Sequence, residues 1–229
     1  MRLSNLTRSL SVIFSPIFRE IGILLALLVV VAGIWIFIEL ADEIIEGGTQ
    51  KFDLMVLEVL RAYHPPWLSS VLRDITSLGS LSVLFLVTAS VAGFLFLQRD
   101  FRHMAFIIVS TGFGALLVIL LKTVFARQRP DILLPVLLKE TTPGFPSGHA
   151  TMAAVVYLSI AAVLSRVEHS QKVRVYTILL AVSLTFLVGM TRACLGVHYI
   201  TDILAGWSIG FAWACLCWLF VRYLDVQRN

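Results

Sequence analysis

The sequence contains few charged residues for its length. Only 14% of its 229 residues are Asp, Glu, Lys or Arg, whereas soluble domains usually carry about 25%. Hydrophobic residues make up 59% of the chain, which excludes an intrinsically disordered protein, a fibrous repeat and an ordinary soluble domain. The formal net charge is +4, but no basic stripe with interleaved aromatic residues occurs, so no nucleic-acid partner is expected. The composition predicts an integral membrane protein.

The sequence is also poor in cysteine. Its three cysteines are Cys194, Cys215 and Cys217, and all lie in or beside apolar segments. An odd number without a CxxC pair argues against a disulfide framework, so free and inert thiols are expected.

Long apolar runs occupy nearly half of the chain. A membrane helix needs about 20 mostly apolar residues, and an all-α bundle of six spans is predicted at 21–41, 81–97, 104–121, 150–164, 175–191 and 203–223. Residues 1–20 are predicted to form an interfacial N-terminal segment. Segment 42–80 is predicted to be an amphipathic connector with short helices at 52–63 and 66–78, packed against the bundle rather than closing over it as a lid. The chain, 1–229, is thus predicted to be a single membrane-embedded domain.

The distribution of basic residues predicts the orientation of these spans. Ten of the 18 Lys and Arg residues flank one set of span ends: Arg2, Arg8, Arg19, Arg99, Arg102, Arg166, Lys172, Arg174, Arg222 and Arg228. By the positive-inside rule this face is cytoplasmic and holds both termini. The connector 42–80 and a second loop, 122–148, are therefore expected on the outer face.

Polar residues gather at three places on the predicted outer face. These are 122–130 after the third span, 143–149 before the fourth, and 191–202 between the fifth and the sixth. Because all three lie at the same membrane depth, antiparallel helices are expected to bring them together. Singly, each residue also has a structural explanation, such as a helix cap or a side chain that reaches the interface.

Together the polar residues indicate an anion site. Lys122, Arg129 and Arg192 supply positive charge, and Ser147 and Gly148 precede a predicted helix, whose N-terminal amides favour phosphate. Arg127 is predicted to be a charge on the rim of this site rather than a ligand. Gly112, Gly114 and Gly189 are expected to be close-packing positions between helices.

Two histidines and a carboxylate accompany these cations. His198 and Asp202 are four residues apart, hence on one helical face, and His149 arrives from another helix. A carboxylate on one ring nitrogen leaves the other nitrogen free as a nucleophile or base. The same set could hold a metal, but the nearby cations would repel a divalent ion, so no metal and no cofactor are predicted.

Three motifs in this region resemble the signatures of the type 2 phosphatidic acid phosphatase (PAP2) family. They are Lys122-x6-Arg129-Pro130, Pro146-Ser147-Gly148-His149 and Arg192-x5-His198-x3-Asp202, and they span 122–202. One departure is Thr191, where the third motif of the family usually has serine. The resemblance implies that His198 is the nucleophile, that Asp202 orients it and that His149 protonates the leaving group. It also implies that the phosphate is bound by Lys122, Arg129, Ser147, Gly148 and Arg192.

The resemblance further implies a lipid phosphatase of the bacterial cytoplasmic (inner) membrane. The site would face outward, and the substrate would be a lipid such as undecaprenyl diphosphate, phosphatidylglycerophosphate or phosphatidate, hydrolysed through a phosphohistidine. A phosphotransferase that passes the phosphoryl group to another lipid, such as lipid A, is an alternative that the motifs do not separate. A haloperoxidase is less favoured, because those relatives are soluble and hold vanadate. A transporter or lipid flippase is less favoured, because the charges lie at helix ends rather than at mid-membrane. The sequence predicts no oligomeric state.

Overall fold

The computed structural model describes residues 2–130, 141–168 and 170–226. Within those residues the chain forms eight α-helices and no strand: α1 (Arg2–Ile45), α2 (Gln50–Ala62), α3 (Leu68–Ser77), α4 (Leu81–Leu97), α5 (Phe101–Phe125), α6 (Gly148–Val167), α7 (Gln171–Cys194) and α8 (Ile200–Val226). The all-helical class predicted from the sequence is confirmed. Residues 131–140 of the predicted second loop, and Arg228, lie outside the described residues.

Five of the six predicted spans lie in helices that are long and apolar enough to cross a membrane. These segments are Glu20–Ile45, Phe101–Phe125, Gly148–Arg166, Gln171–Cys194 and Ile200–Tyr223. The remaining predicted span, 81–97, is α4, which meets the same test only together with α3, to which it is joined at a bend of 40°. The described chain therefore has five candidate spans, or six if α3 and α4 count as one. Of the segment predicted to be interfacial, residues 2–20 form the start of the same helix that contains the first span.

Local signals explain where several helices begin and end. The Ser80 hydroxyl accepts a hydrogen bond from the Val83 amide at the start of α4, and Asp100 accepts one from the His103 amide at the start of α5. Such caps satisfy amides that have no partner within the helix. Ala126 ends α5 in the left-handed region, at φ 43°. The chain then turns into the loop that carries the first motif.

Helix α6 is the centre of the bundle. It packs against α4, α5, α7 and α8, while α1 packs on α8 and the connector helices α2 and α3 pack on α7. Large apolar side chains such as Leu24, Phe85 and Leu179 are exposed on the outer faces of their helices, as expected where helices meet lipid tails. The three cysteines are free.

Small residues allow the closest helix contacts. A Cβ on Gly206 would lie 2.9 Å from the Ser147 carbonyl oxygen, and a Cβ on Gly210 would lie 2.7 Å from the Ala154 Cβ. This GxxxG pattern holds the start of α8 against the start of α6. Gly114 and Gly189 are also close-packed, against Val155 and Trp207. The prediction for Gly112 is wrong, because a Cβ there would meet no atom within 4 Å.

Candidate active site

The three motifs meet at one end of the bundle. The first follows the C-terminal end of α5, the second leads into the N-terminal end of α6, and the third joins the end of α7 to the start of α8. The Ser147 amide donates to the Asp202 carbonyl oxygen at 2.9 Å, and the Gly144 amide donates to the Arg127 carbonyl oxygen at 2.7 Å. These backbone bonds join each motif to the next.

An aromatic cluster fixes the loop before α6. Phe145 is fully buried, stacked on Phe37 of α1 and edge-on to Phe125 of α5, at ring-centroid distances of 5.5 and 4.9 Å. The packing of these rings anchors the loop that presents Ser147 and Gly148. The loop therefore approaches the site with a defined backbone.

The imidazole of His198 is buried between a cation and a carboxylate. Its Nε2 lies 3.0 Å from Arg129 Nη1, and its Nδ1 lies 3.4 Å from Asp202 Oδ2. Because a guanidinium can only donate, Nε2 must be the accepting nitrogen with a lone pair, so the ring proton is on Nδ1 and faces the carboxylate. Both His198 and Asp202 are buried. The predicted pairing of these two residues is present in the structure.

Of the first-motif cations, Arg129 lies beside this histidine and Lys122 lies beside the start of α6. Arg129 also donates to the Val197 and Thr142 carbonyl oxygens, at 3.1 and 2.8 Å. Lys122 donates from Nζ to the Pro143 carbonyl oxygen, and its Cε would lie 3.5 Å from a Cβ on Gly148. Lys122 thus lies over the first residue of α6.

Ser147 is the N-cap residue of α6 but does not cap it with its side chain. Its hydroxyl is buried and makes no hydrogen bond to any part of the chain that the structure describes. A buried hydroxyl without a partner costs free energy. It is consequently a donor that a bound anion could satisfy.

His149 and Arg192 both contact the connector. A Cβ on Gly79 would lie 3.3 Å from His149 Cδ2, and the buried Arg192 donates from Nη1 to Thr76 Oγ1 at 3.4 Å. In addition, the Tyr157 hydroxyl of α6 donates to the Leu78 carbonyl oxygen at 2.7 Å. The end of α3 therefore forms one wall of the site.

Arg127 links the site to the other connector helix. Its Nη1 donates to Asp202 Oδ1 at 2.5 Å, and its Nη2 donates to Asp53 Oδ2 of α2 at 2.7 Å. Although burial of the guanidinium lowers its pKa, Asp202 and Asp53 more than offset this effect, so the pKa of Arg127 lies above its ordinary value. The prediction that Arg127 is a rim charge is wrong, because only 14% of its side chain is exposed.

Similarity to known proteins agrees with this arrangement. A family model described as the PAP2 superfamily matches residues 103–225, more than half of the chain. The chain belongs to the PAP2 superfamily. The resemblance drawn from the three motifs is confirmed, and all three lie within the matched residues.

The proteins that this chain resembles include bacterial phosphatases. Phosphatidylglycerophosphatase B of Bacillus subtilis (strain 168) is 36% identical over 180 residues, which cover 76% of this chain and 85% of that protein. Lipid A 1-phosphatase of Rhizobium etli is 32% identical over 114 residues, 46% of this chain and 45% of that protein. The crystal structure of a transmembrane PAP2 type phosphatidylglycerolphosphate phosphatase from Bacillus subtilis matches with a TM-score of 0.78 at 30% identity, covering 87% of this chain and 97% of that one. These relatives support a membrane lipid phosphatase.

Asp53 of this PAP2 chain was not predicted from the sequence as part of the site. Asp53 lies in the first turn of an amphipathic helix, where an acidic residue is ordinary. No local sequence pattern distinguishes Asp53 from an ordinary solvent-exposed carboxylate, because its partners Arg127 and Thr201 are 74 and 148 residues away in the chain. The Gly206-x3-Gly210 pattern, by contrast, was visible in the sequence and would have predicted how α8 meets α6.

Proposed function

We propose that this protein is a membrane lipid phosphatase that removes the terminal phosphate of a lipid monophosphate or diphosphate through a phosphohistidine on His198. The observation that carries the proposal is the setting of His198, whose Nε2 accepts from Arg129 while its Nδ1 faces Asp202. A histidine nucleophile needs this tautomer, with the attacking nitrogen unprotonated and the proton directed at a carboxylate. The names of the relatives support removal of a phosphate from a lipid.

In the proposed first step, His198 Nε2 attacks the phosphorus. The N–P bond forms as the bond from phosphorus to the leaving oxygen breaks, and the electron pair of that bond goes to the leaving oxygen. His149 protonates this oxygen as a general acid. The imidazole becomes positively charged, and Asp202 stabilises that charge.

In the proposed second step, water attacks the phosphohistidine. His149, now a base, takes a proton from the water as the new P–O bond forms. The electrons of the N–P bond return to Nε2, which restores His198 and releases inorganic phosphate. Each step displaces one group at phosphorus, so catalysis depends on position and charge stabilisation.

The phosphate oxygens would be bound by fixed donors. These are the side chains and amide that the family motifs predict: Lys122, Arg129, Ser147, Gly148 and Arg192. The buried hydroxyl of Ser147 supports this assignment, because a phosphate oxygen would supply its hydrogen bond. Three cations can balance the charge that develops on the equatorial oxygens, so no metal is required in this proposal.

In the membrane, the proposed protein has six spans and a single domain, 1–229. Helix α4 has 17 residues, about 26 Å at 1.5 Å per residue, which approaches the thickness of a bilayer core of about 30 Å. The basic residues favour cytoplasmic termini in the bacterial inner membrane. The site would then open outward, with segment 1–20 at the inner interface and connector 42–80 beside motifs 122–202.

The proposed substrates are lipids whose phosphate reaches the site from the bilayer. Phosphatidylglycerophosphate is favoured by the name of the Bacillus subtilis relative. Undecaprenyl diphosphate and phosphatidate are also candidates, because each is a lipid with a terminal phosphate. We favour broad specificity, because the short outer loops offer little with which to bind a large head group.

The test measures phosphate release from purified lipid monophosphates and diphosphates in detergent, without an acceptor lipid. We expect release by the wild type and none by His198→Ala, while His64→Ala, a histidine change outside the site, retains activity. Purified variants are compared by gel filtration, so that loss of folding is distinguished from loss of chemistry. Substantial phosphate release by His198→Ala would overturn the assignment of His198 as the nucleophile. Phosphate transfer that occurs only when an acceptor lipid is added would favour the phosphotransferase.

A further inference from the structure

The buried carboxylate of Asp53 is connected to His198 through two other side chains. Asp53 Oδ2 accepts from Arg127 Nη2 at 2.7 Å, and Arg127 Nη1 donates to Asp202 Oδ1 at 2.5 Å. Asp202 directs its other oxygen, Oδ2, to His198 Nδ1 and to the Tyr199 amide, at 3.4 and 3.0 Å. One oxygen of Asp202 thus binds Arg127, and the other faces His198 and the Tyr199 amide.

Asp53 also holds the first turn of α8 directly. Its Oδ1 accepts from the Thr201 amide at 3.1 Å, and its Oδ2 accepts from the Thr201 hydroxyl at 2.6 Å. The same hydroxyl accepts from Arg127 Nη1 at 3.0 Å. Asp53 binds Thr201, and Arg127 binds both Thr201 and Asp202. The orientation of Asp202 is therefore fixed from outside its own helix.

The second carboxylate of this network, Asp53, offsets the positive charge of Arg127. Arg127 alone would neutralise Asp202 and so weaken its attraction for an imidazolium at His198. With Asp53 the three side chains carry a net charge of −1. Asp53 is 1% exposed and Asp202 is 0% exposed, so water screens these charges poorly. The stabilising charge beside His198 is thereby retained even though Asp202 is bound to a cation.

We propose that Asp53 is a positioning residue for phosphoryl transfer, acting through Arg127 on Asp202 and so making connector helix α2 part of the catalytic apparatus. This inference rests on the proposed function. It assigns to α2 a role beyond packing, because it requires that a charge on this helix changes the rate of the chemical step.

The first test is the single-turnover rate constant for lipid phosphate cleavage, with enzyme in saturating excess. We expect Asp53→Asn to lower this rate constant about 10- to 100-fold, as is usual for groups that orient a reacting residue. Glu58→Gln, an equivalent change at an exposed position of the same helix, is expected to leave it unchanged. A merely structural defect would reduce the fraction of active enzyme without changing the rate constant at saturation.

A double-mutant cycle tests whether Asp53 acts through Arg127. We expect Arg127→Gln to lower the rate constant at least as much as Asp53→Asn. If Asp53 acts through Arg127, Asp53→Asn lowers the rate constant by a smaller factor in the Arg127→Gln background than in the wild type. Independent, multiplicative losses would overturn the proposed route.

A pair of variants at Thr201 tests the hydrogen-bond network without removing a charge. Thr201→Val deletes the hydroxyl that joins Asp53 to Arg127, whereas Thr201→Ser keeps it. We expect the rate constant of the valine variant to be at least about fivefold below that of the serine variant, as loss of a hydrogen bond to charged groups implies. This comparison decides the question if Asp53→Asn does not fold.

The outcomes separate this inference from the proposed function. If the wild type releases phosphate and His198→Ala does not, while Asp53→Asn and Thr201→Val both match the wild type, the role of Asp53 is overturned and the phosphatase stands. If the wild type releases no phosphate from any lipid of the panel, both proposals fail.

Discussion

Gly79 lies against the ring of His149. A Cβ on Gly79 would be 3.3 Å from His149 Cδ2 and only 2.3 Å from Val188 Cγ1. Val188 is fully buried in α7 and has little room to move. The turn between α3 and α4 therefore defines the position available to a predicted catalytic residue.

Gly79→Ala should reduce turnover. The added methyl group forces the turn away from Val188 and removes the wall on which the His149 ring rests, so we expect about a tenfold or larger loss in kcat, within the range for a mispositioned general acid. Gly93→Ala is the control, because a Cβ there would meet nothing within 4 Å. Wild-type kcat in both variants would show that the position of His149 does not depend on Gly79.

His149→Ala should affect lipid monophosphates more than lipid diphosphates. The leaving group of a monophosphate is an alcohol that needs a proton, whereas a diphosphate releases a lipid phosphate that leaves more easily. We expect a loss of about 10²- to 10⁴-fold in kcat with monophosphates and a smaller loss with diphosphates. Equal losses with the two substrate classes would contradict the role of His149 as general acid.

Gly189→Ala should destabilise the bundle. A Cβ on Gly189 would lie 2.4 Å from Trp207 Cζ2, and Trp207 is buried, with its Nε1 donating to the Thr185 carbonyl oxygen at 3.2 Å. We expect the free energy of unfolding to fall by about 1–3 kcal/mol, as overpacking usually costs. The measurement is the melting temperature in detergent.

Gly112→Ala is the matched control for that change. Its Cβ would meet no atom within 4 Å, and alanine is the better helix former. Its melting temperature should match or exceed that of the wild type. Equal melting temperatures for the Gly189 and Gly112 variants would contradict a close contact between α7 and α8 at Trp207.

Metal removal should leave activity unchanged. In the proposed mechanism Lys122, Arg129 and Arg192 supply the positive charge at the phosphate, so dialysis against EDTA is expected to preserve kcat on a lipid monophosphate. The dialysed enzyme is assayed before and after Mg²⁺ is returned. Loss of activity on dialysis with recovery on addition of Mg²⁺ would show that a metal takes part.

The sequence predicted those features that repeat along it or lie close together within it. Apolar runs predicted the positions of the long helices, and the spacing of His198 and Asp202 predicted their pairing. The bend between α3 and α4 was not predictable in this way. The apolar composition of α4 predicted a complete span, although the helix has only 17 residues and meets the test for a span only together with α3.

Features that depend on distant partners were missed or misinterpreted. Arg127 looked like a surface charge because helix-end arginines commonly reach water, and only the folded chain places Asp53 and Asp202 on either side of it. Gly112 looked like a packing position because glycine is common where membrane helices meet. Its side of α5 is open in the structure.

The bonds from Asp53 to Thr201, which join residues 148 apart in the chain, have a consequence for biosynthesis. A nascent chain synthesised only as far as the end of α7 contains Asp53 and Arg127 but lacks His198, Thr201 and Asp202. In the proposed mechanism such a chain lacks both the nucleophile, His198, and Asp202, the carboxylate that faces it. Catalytic activity can appear only after the last helix has entered the membrane and docked, so turnover reports completed assembly of the chain.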